Sequence, residues 1–112
     1  MTVHFYQTQG GKDLIHEYIM NLSKPEILDG FCVLKCFENN DTDKLVMKRW
    51  QSKVWEVYFY KHNRMFYVTV DNKDCYVLHA CKKQKNKTEK TDSEIVIKRA
   101  KELGKRLNKN FI

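Results

Sequence analysis

The alternation of apolar and polar positions divides the 112-residue chain into helical and extended stretches. Val3-His4-Phe5-Tyr6 alternates with the two-residue period of a short strand. Gly10 and Gly11 break it. Beyond them Leu14, Ile15, Tyr18, Ile19 and Leu22 recur at helical spacing and predict a first amphipathic helix. Ser23-Lys24-Pro25-Glu26 starts a second. Ser23 is the cap, Glu26 three residues on completes a capping box, and Pro25 falls in the first turn, where its missing N–H costs nothing. Ile27, Phe31 and Leu34 form the expected buried stripe of this helix, and Asn39-Asn40-Asp41 ends it. Two short helices joined by a tight turn predict a helical hairpin.

Residues 41–53 keep no clear period; Leu45, Met47 and Trp50 are expected to anchor a crossing loop to the core. Residues 54–60 set Trp55, Val57 and Phe59 on one face and Glu56, Tyr58 and Tyr60 on the other. Lys61-His62-Asn63 makes a turn into a β-branched and aromatic strand at 65–70, and Asp71-Asn72-Lys73-Asp74 a second turn into a strand at 75–81. Loops this short imply an antiparallel meander. Thr91-Asp92-Ser93-Glu94 reads as a capping box for a last helix, whose Val96, Ala100, Leu103 and Leu107 form a buried stripe. The predicted class is α+β: an N-terminal helical hairpin packed on a small antiparallel sheet of about four strands, with a C-terminal helix. The sheet's second face is expected to be polar and aromatic. No repeat is present, and the length fits one domain over residues 1–112.

Composition narrows the class. A 42% hydrophobic content with one proline and four glycines fits a single globular unit. The start lacks the basic and apolar pattern of a secretory leader, and no apolar run nears the roughly 20 residues that cross a bilayer. A soluble, cytoplasmic protein with no membrane partner is therefore expected. Cys32 and Cys36 lie one helical turn apart, and Cys75 and Cys81 fall on one strand face; with no paired Cys-x-x-Cys knuckle they read as buried free thiols rather than a metal site with His79. No metal or cofactor is expected. Charge is distributed unevenly. Residues 1–81 hold 10 basic and 10 acidic side chains, whereas residues 82–112 hold 11 basic and 4 acidic, so the whole +7 excess lies in the last quarter. That asymmetry fits a polyanionic partner, nucleic acid or an acidic protein segment, or simply a solvated lysine-rich tail.

Three segments in order carry a family resemblance: Trp55-Glu56-Val57-Tyr58, then Lys61-His62-Asn63-Arg64-Met65-Phe66-Tyr67, then Val77-Leu78-His79-Ala80-Cys81-Lys82-Lys83. Together they resemble the phage Gp49-like/HigB branch of the RelE/ParE toxin superfamily, over roughly residues 50–105. Three departures stand out. Tyr58 occupies a position that is usually basic, Ala80-Cys81 replaces Gly-Phe, and neither Lys87-Thr88 nor Lys90-Thr91 is followed by proline. The resemblance implies a RelE-like fold and a type II toxin: an mRNA endoribonuclease that works at the ribosome and inhibits translation. It further implies a cognate antitoxin encoded next door, expected to carry a helix-turn-helix and to form a toxin–antitoxin hetero-oligomer.

Such cleavage needs no protein nucleophile, because the substrate's 2′-OH can attack the adjacent phosphorus. The protein must take one proton, stabilise charge on the phosphate and protonate the leaving oxygen. Arg64 is the expected phosphate-holding guanidinium, with Lys83 as acid or backbone clamp. Glu56 and His79 are the conventional titrating candidates on the strands, with His79 expected opposite Tyr76 and Leu78. Lys61, Lys82, Lys85 and Lys87 would bind the RNA backbone, and Tyr58, Tyr60 and Tyr67 would stack on unpaired bases. Each also has a structural reading: Glu56 as an ion-pair partner for Arg64 or Lys82, His79 as a hydrogen-bonded rim residue, the tyrosines as packing. Two other functions stay open, a non-enzymatic phage-type module that binds nucleic acid or a host factor, and a ParE-like gyrase inhibitor on the same fold.

Overall fold

The computed structural model describes residues 1–83 and 88–112. Its elements run β1 (Thr2–Phe5), α1 (Leu14–Met20), α2 (Lys24–Glu38), β2 (Met47–Gln51), β3 (Val54–Phe59), β4 (Asn63–Val70), β5 (Asp74–Lys82) and α3 (Lys90–Leu107). The strands form one sheet in the order β1-β5-β4-β3-β2. β2 to β5 are an antiparallel meander, and β1 lies parallel to β5 at the edge. The α+β class and the meander are as expected, but the sheet is mixed and has five strands rather than about four. The additional strand is β2, where a crossing loop was expected. Met47 and Trp50, three residues apart and so on opposite faces, reach the two core clusters, and the register slips between Arg49 and Gln51. A bulge of this kind erases the two-residue period by which a strand is recognised.

The second helix starts at its expected cap, whereas α1 is shorter than expected, ending at Met20 before Leu22, and is capped by Asp13, which was not singled out from the sequence. Asp13 accepts from the His16 N–H at 2.9 Å at the start of α1, and Ser23 Oγ donates to Glu26 at 2.8 Å at the start of α2, with Pro25 in the first turn. The buried stripe of α2 differs from expectation: it runs through Gly30, Val33, Leu34 and Phe37, while Phe31 is 38% exposed. Gly30 sets this face, because a side chain there would begin 3.1 Å from the Phe59 ring. α3 begins at Lys90 with Glu89 in the cap position, not at the Thr91 box. Its stripe is as expected, with Val96, Ala100 and Leu103 buried and Leu107 partly so.

The sheet separates two clusters. Ile15, Ile19, Phe37, Val57, Met65 and Val77 pack between the sheet and α1–α2; Val54, Phe66, Val68, Leu78, Val96 and Leu103 pack under α3. The face expected to be open and polar is thus partly roofed by α3. All four cysteines are free; Cys75 and Cys81 are buried, but Cys32 is exposed and Cys36 half-buried. Cys75 and Cys81 fall in different clusters, not on one face. Among the described residues, no helix is long and apolar enough to cross a membrane.

Candidate functional site

Residues paired across a ladder point to the same face of a sheet, so register assembles the site. One rung joins Lys48, Glu56, Phe66 and His79; the next joins Tyr58, Arg64 and Cys81. Both rungs lie on the α3 side. His79 reaches it through a slip of one residue between β4 and β5 at Phe66 and Tyr67, which turns Leu78 and His79 toward the same face. The expectation that His79 opposes Leu78 is corrected by that bulge.

At the centre is a buried ion pair. Glu56 and Arg64 are each 1% exposed, with Arg64 Nη1 3.3 Å from Glu56 Oε2. The Tyr58 hydroxyl donates to Glu56 Oε1 at 2.8 Å, and Lys48 Nζ stands 3.4 Å from the same oxygen. Arg64 Nε and Nη2 have no hydrogen-bond partner among the described residues. Its guanidinium lies 5.2 Å from the Phe66 ring centroid. Burial disfavours the Arg64 charge, but Cys81, Glu56 and Tyr58 together outweigh it and raise the pKa. Burial also pushes the Cys81 thiol up to about 11, with Arg64 pulling the other way. Direct contact with a phosphate needs a solvent-facing guanidinium, and Arg64 does not present one.

A second polar array ties β5 to α3. His79 Nε2 is 2.8 Å from Asp92 Oδ1, and His79 Nδ1 is 3.5 Å from Arg99 Nη1, which also donates to the Leu78 carbonyl at 2.8 Å. Burial lowers the His79 pKa, with Arg99 and Arg64 adding to it and Asp92 opposing. A neutral ring protonated on Nε2 satisfies both neighbours: it donates to Asp92 and accepts from Arg99. His79, Cys81 and Asp92 bring one ligand-type atom each within 4.8 Å of one another. With Arg64 against Cys81 and Arg99 against His79, positive charge is already in place there, and the group reads as a hydrogen-bonded array rather than a metal centre.

Beside the Tyr58 rung is a groove of about 520 Å³, lined by Tyr58, Tyr60, Lys61 and Lys83, by Lys44 and Val46, and by Asp29 and Val33 of α2. Lys83 Nζ is 4.9 Å from the Tyr58 ring centroid and Lys48 Nζ is 5.8 Å from it. Tyr60 and Lys61 take left-handed backbone conformations (φ 40° and 65°) that make the hairpin tight, and the Tyr60 N–H donates to Asp29 Oδ2 at 2.5 Å.

The candidates therefore separate. Tyr58, Tyr60, Lys61 and Lys83 share the groove, and Glu56 and Arg64 lie beneath it. His79 sits further along the same face. Lys82 is on the opposite face, with its Nζ 3.9 Å from Glu26. Tyr67 is buried with its hydroxyl on Met47 Sδ at 3.2 Å, so it packs and does not meet bases. Lys85 and Lys87 lie outside the described residues. Lys44, Lys48, Asp92 and Arg99 were not singled out from the sequence. Lys44 and Lys48 fall in the stretch without period, Asp92 was assigned to a cap, and Arg99 is one cation among many on α3.

The family model for phage-derived Gp49-like proteins (DUF891) matches residues 17–101. The chain belongs to this family. Gp49-like proteins are a RelE/HigB-like toxin family, and the match contains both rungs, the groove and the His79–Asp92–Arg99 array. No curated protein matches the chain. Tyr58 thus stands, on a Gp49-like scaffold, at the outlet of a buried acid–guanidinium pair.

Proposed function

We infer that this Gp49-like protein is the toxin of a type II toxin–antitoxin pair and cuts mRNA on the ribosome. The observation that carries the reading is the groove, whose lining includes Tyr58, Tyr60, Lys44, Lys61 and Lys83, against a single acidic residue, Asp29. Aromatic faces with flanking cations suit unpaired nucleotides, since every base has a face to stack and every linkage a negative charge. In this reading Tyr58 and Tyr60 stack on bases, and Lys61 and Lys83 hold phosphate oxygens. Arg64 and Glu56 fix Tyr58 from below. Lys83, at the rim, is the candidate acid for the leaving oxygen. With so few groups facing substrate, the ribosome would supply much of the alignment by holding the codon in an ordered pose.

The partner in this reading is an antitoxin with a helix-turn-helix, encoded alongside, whose acidic segment covers the basic surface of α3 or the groove. Induced expression followed by mapping of cellular RNA 5′ ends tests the function. In-frame cuts within translated messages, absent from untranslated RNA and lost in Lys83→Ala, are expected. Growth arrest with intact mRNA and broken DNA would instead indicate a gyrase inhibitor, and no growth effect a binding module.

A further inference from the structure

We propose that the Tyr58 phenol is a catalytic residue, the group that takes the proton from the attacking 2′-OH and relays it to Glu56. The inference rests on the ribonuclease reading above and deepens it. Glu56 is the carboxylate that a general base calls for, yet it is 1% exposed and cannot touch a substrate. One hydroxyl joins it to a groove residue: Tyr58, which is among the residues lining the groove, donates to Glu56 Oε1 at 2.8 Å. With a carboxylate as its acceptor and a place in the groove lining, the phenol can pass a proton from groove to carboxylate. Arg64 at 3.3 Å holds Glu56 from the far side, so the carboxylate has little freedom to turn elsewhere. Lys48 and Lys83 flank the phenol, and their charge stabilises negative charge that builds on its oxygen during transfer. A basic side chain at position 58, as the family resemblance leads one to expect, would pair with Glu56 but could not accept a proton while charged. The tyrosine changes what this rung can do.

The 2′-oxygen forms a bond to phosphorus and the bond from phosphorus to the 5′-oxygen breaks. The 2′-OH proton passes to the Tyr58 oxygen as the phenol's own proton passes to Glu56 Oε1, and the leaving 5′-oxygen takes a proton from Lys83. The products are a 2′,3′-cyclic phosphate end and a 5′-hydroxyl end. Glu56 finishes protonated and Lys83 deprotonated, and exchange with solvent resets both. Tyr58 and Lys83 are catalytic in this scheme; Glu56, acting through Tyr58, and Arg64, acting through Glu56, are positioning residues.

The test uses the full chain with ribosomes programmed with a defined mRNA, under single-turnover conditions. Tyr58→Phe keeps the ring and leaves the Glu56–Arg64 pair intact, so its fold is secure. Its rate should fall about 100-fold or more, the usual contribution of a proton-transfer group, with half-saturation changed less than about threefold. Glu56→Gln, assayed at a temperature where circular dichroism shows it folded, should match it, and the double variant under the same check should be no slower than either single one, as expected for one relay. A message with sulfur replacing the bridging 5′-oxygen separates base from acid, because a thiolate leaves without protonation. Sulfur should rescue Lys83→Met and not Tyr58→Phe. Rescue of Tyr58→Phe by sulfur, or a Tyr58→Phe rate within about threefold of wild type, overturns the relay while leaving the ribonuclease reading intact. No cutting by the wild-type protein overturns both.

Discussion

Glu56→Gln removes the only carboxylate that, among the described residues, is hydrogen-bonded to Arg64, a residue 1% exposed. Lys48, 55% exposed at its side chain, returns to water without loss, but Arg64 does not. Its Nη1 keeps at best a neutral acceptor, and Nε and Nη2 have no partner among the described residues. Breaking a buried pair from one side costs about 3–5 kcal/mol, because a charge is left without compensation. Unfolding entropy of about 2.1 cal/mol/K per residue gives about 235 cal/mol/K for 112 residues, so 1 kcal/mol moves Tm by about 4 °C. Glu56→Gln should therefore lower Tm by about 13–21 °C. Arg64→Met alone should cost less, since Glu56 keeps Tyr58 and Lys48. The double variant, with no buried charge, should be more stable than the sum of the two losses implies. Thermal and urea unfolding of the four proteins, followed by circular dichroism at neutral pH, measures the cycle. A Glu56→Gln loss below about 1 kcal/mol, or single losses that simply add, would refute the claim that this pair is buried and mutually dependent.

Three further outcomes follow from other parts of the structure. Burial holds the His79 pKa below its ordinary value of 6.5. As pH falls below about 6.5 the unfolded chain takes up that proton first, so native stability declines until the folded-state pKa is reached. The urea midpoint of wild type should drop more between pH 7.5 and 5 than that of His79→Gln; equal drops would remove His79 from the linkage. Gly104→Ala would bring a methyl to 2.6 Å from the Lys109 carbonyl oxygen and 3.7 Å from the Phe111 ring. It should destabilise by about 1–3 kcal/mol despite alanine's better helix propensity, and a melt at or above the wild-type temperature would contradict this. Under a thiol reagent at neutral pH, Cys32 should react in the native protein, whereas Cys75, pushed by burial to about 12, and Cys81, to about 11, should react only on unfolding. Mass mapping of modified cysteines with and without urea reads this directly.

What the sequence conceals here is concentrated where the sheet's register slips. The meander and the α3 stripe follow from periods of two and of three to four, and those periods survive in the structure, whereas the α2 stripe is shifted by Gly30 against Phe59. Two one-residue slips do not leave such a trace. The slip at Trp50 hides β2 and with it Lys48, which belongs to the same rung as Glu56. The slip at Phe66 and Tyr67 brings His79 to the face of Arg64 and sends Cys81 away from Cys75. Burial is concealed for a different reason. Arg64 follows a turn and reads as a solvated cation, but the strand begins one residue before it, and cross-strand Glu56 makes an interior position tolerable. Once Arg64 and Glu56 are inside, the chemistry open to the groove is set by what remains at its wall. That is Tyr58, the residue that departs from the family pattern. A phenol conducts a proton between groove and carboxylate where a charged base cannot. Under the proposed relay a Tyr58→Arg exchange should therefore not be neutral: it should slow cleavage about as much as Tyr58→Phe while strengthening the hold on Glu56.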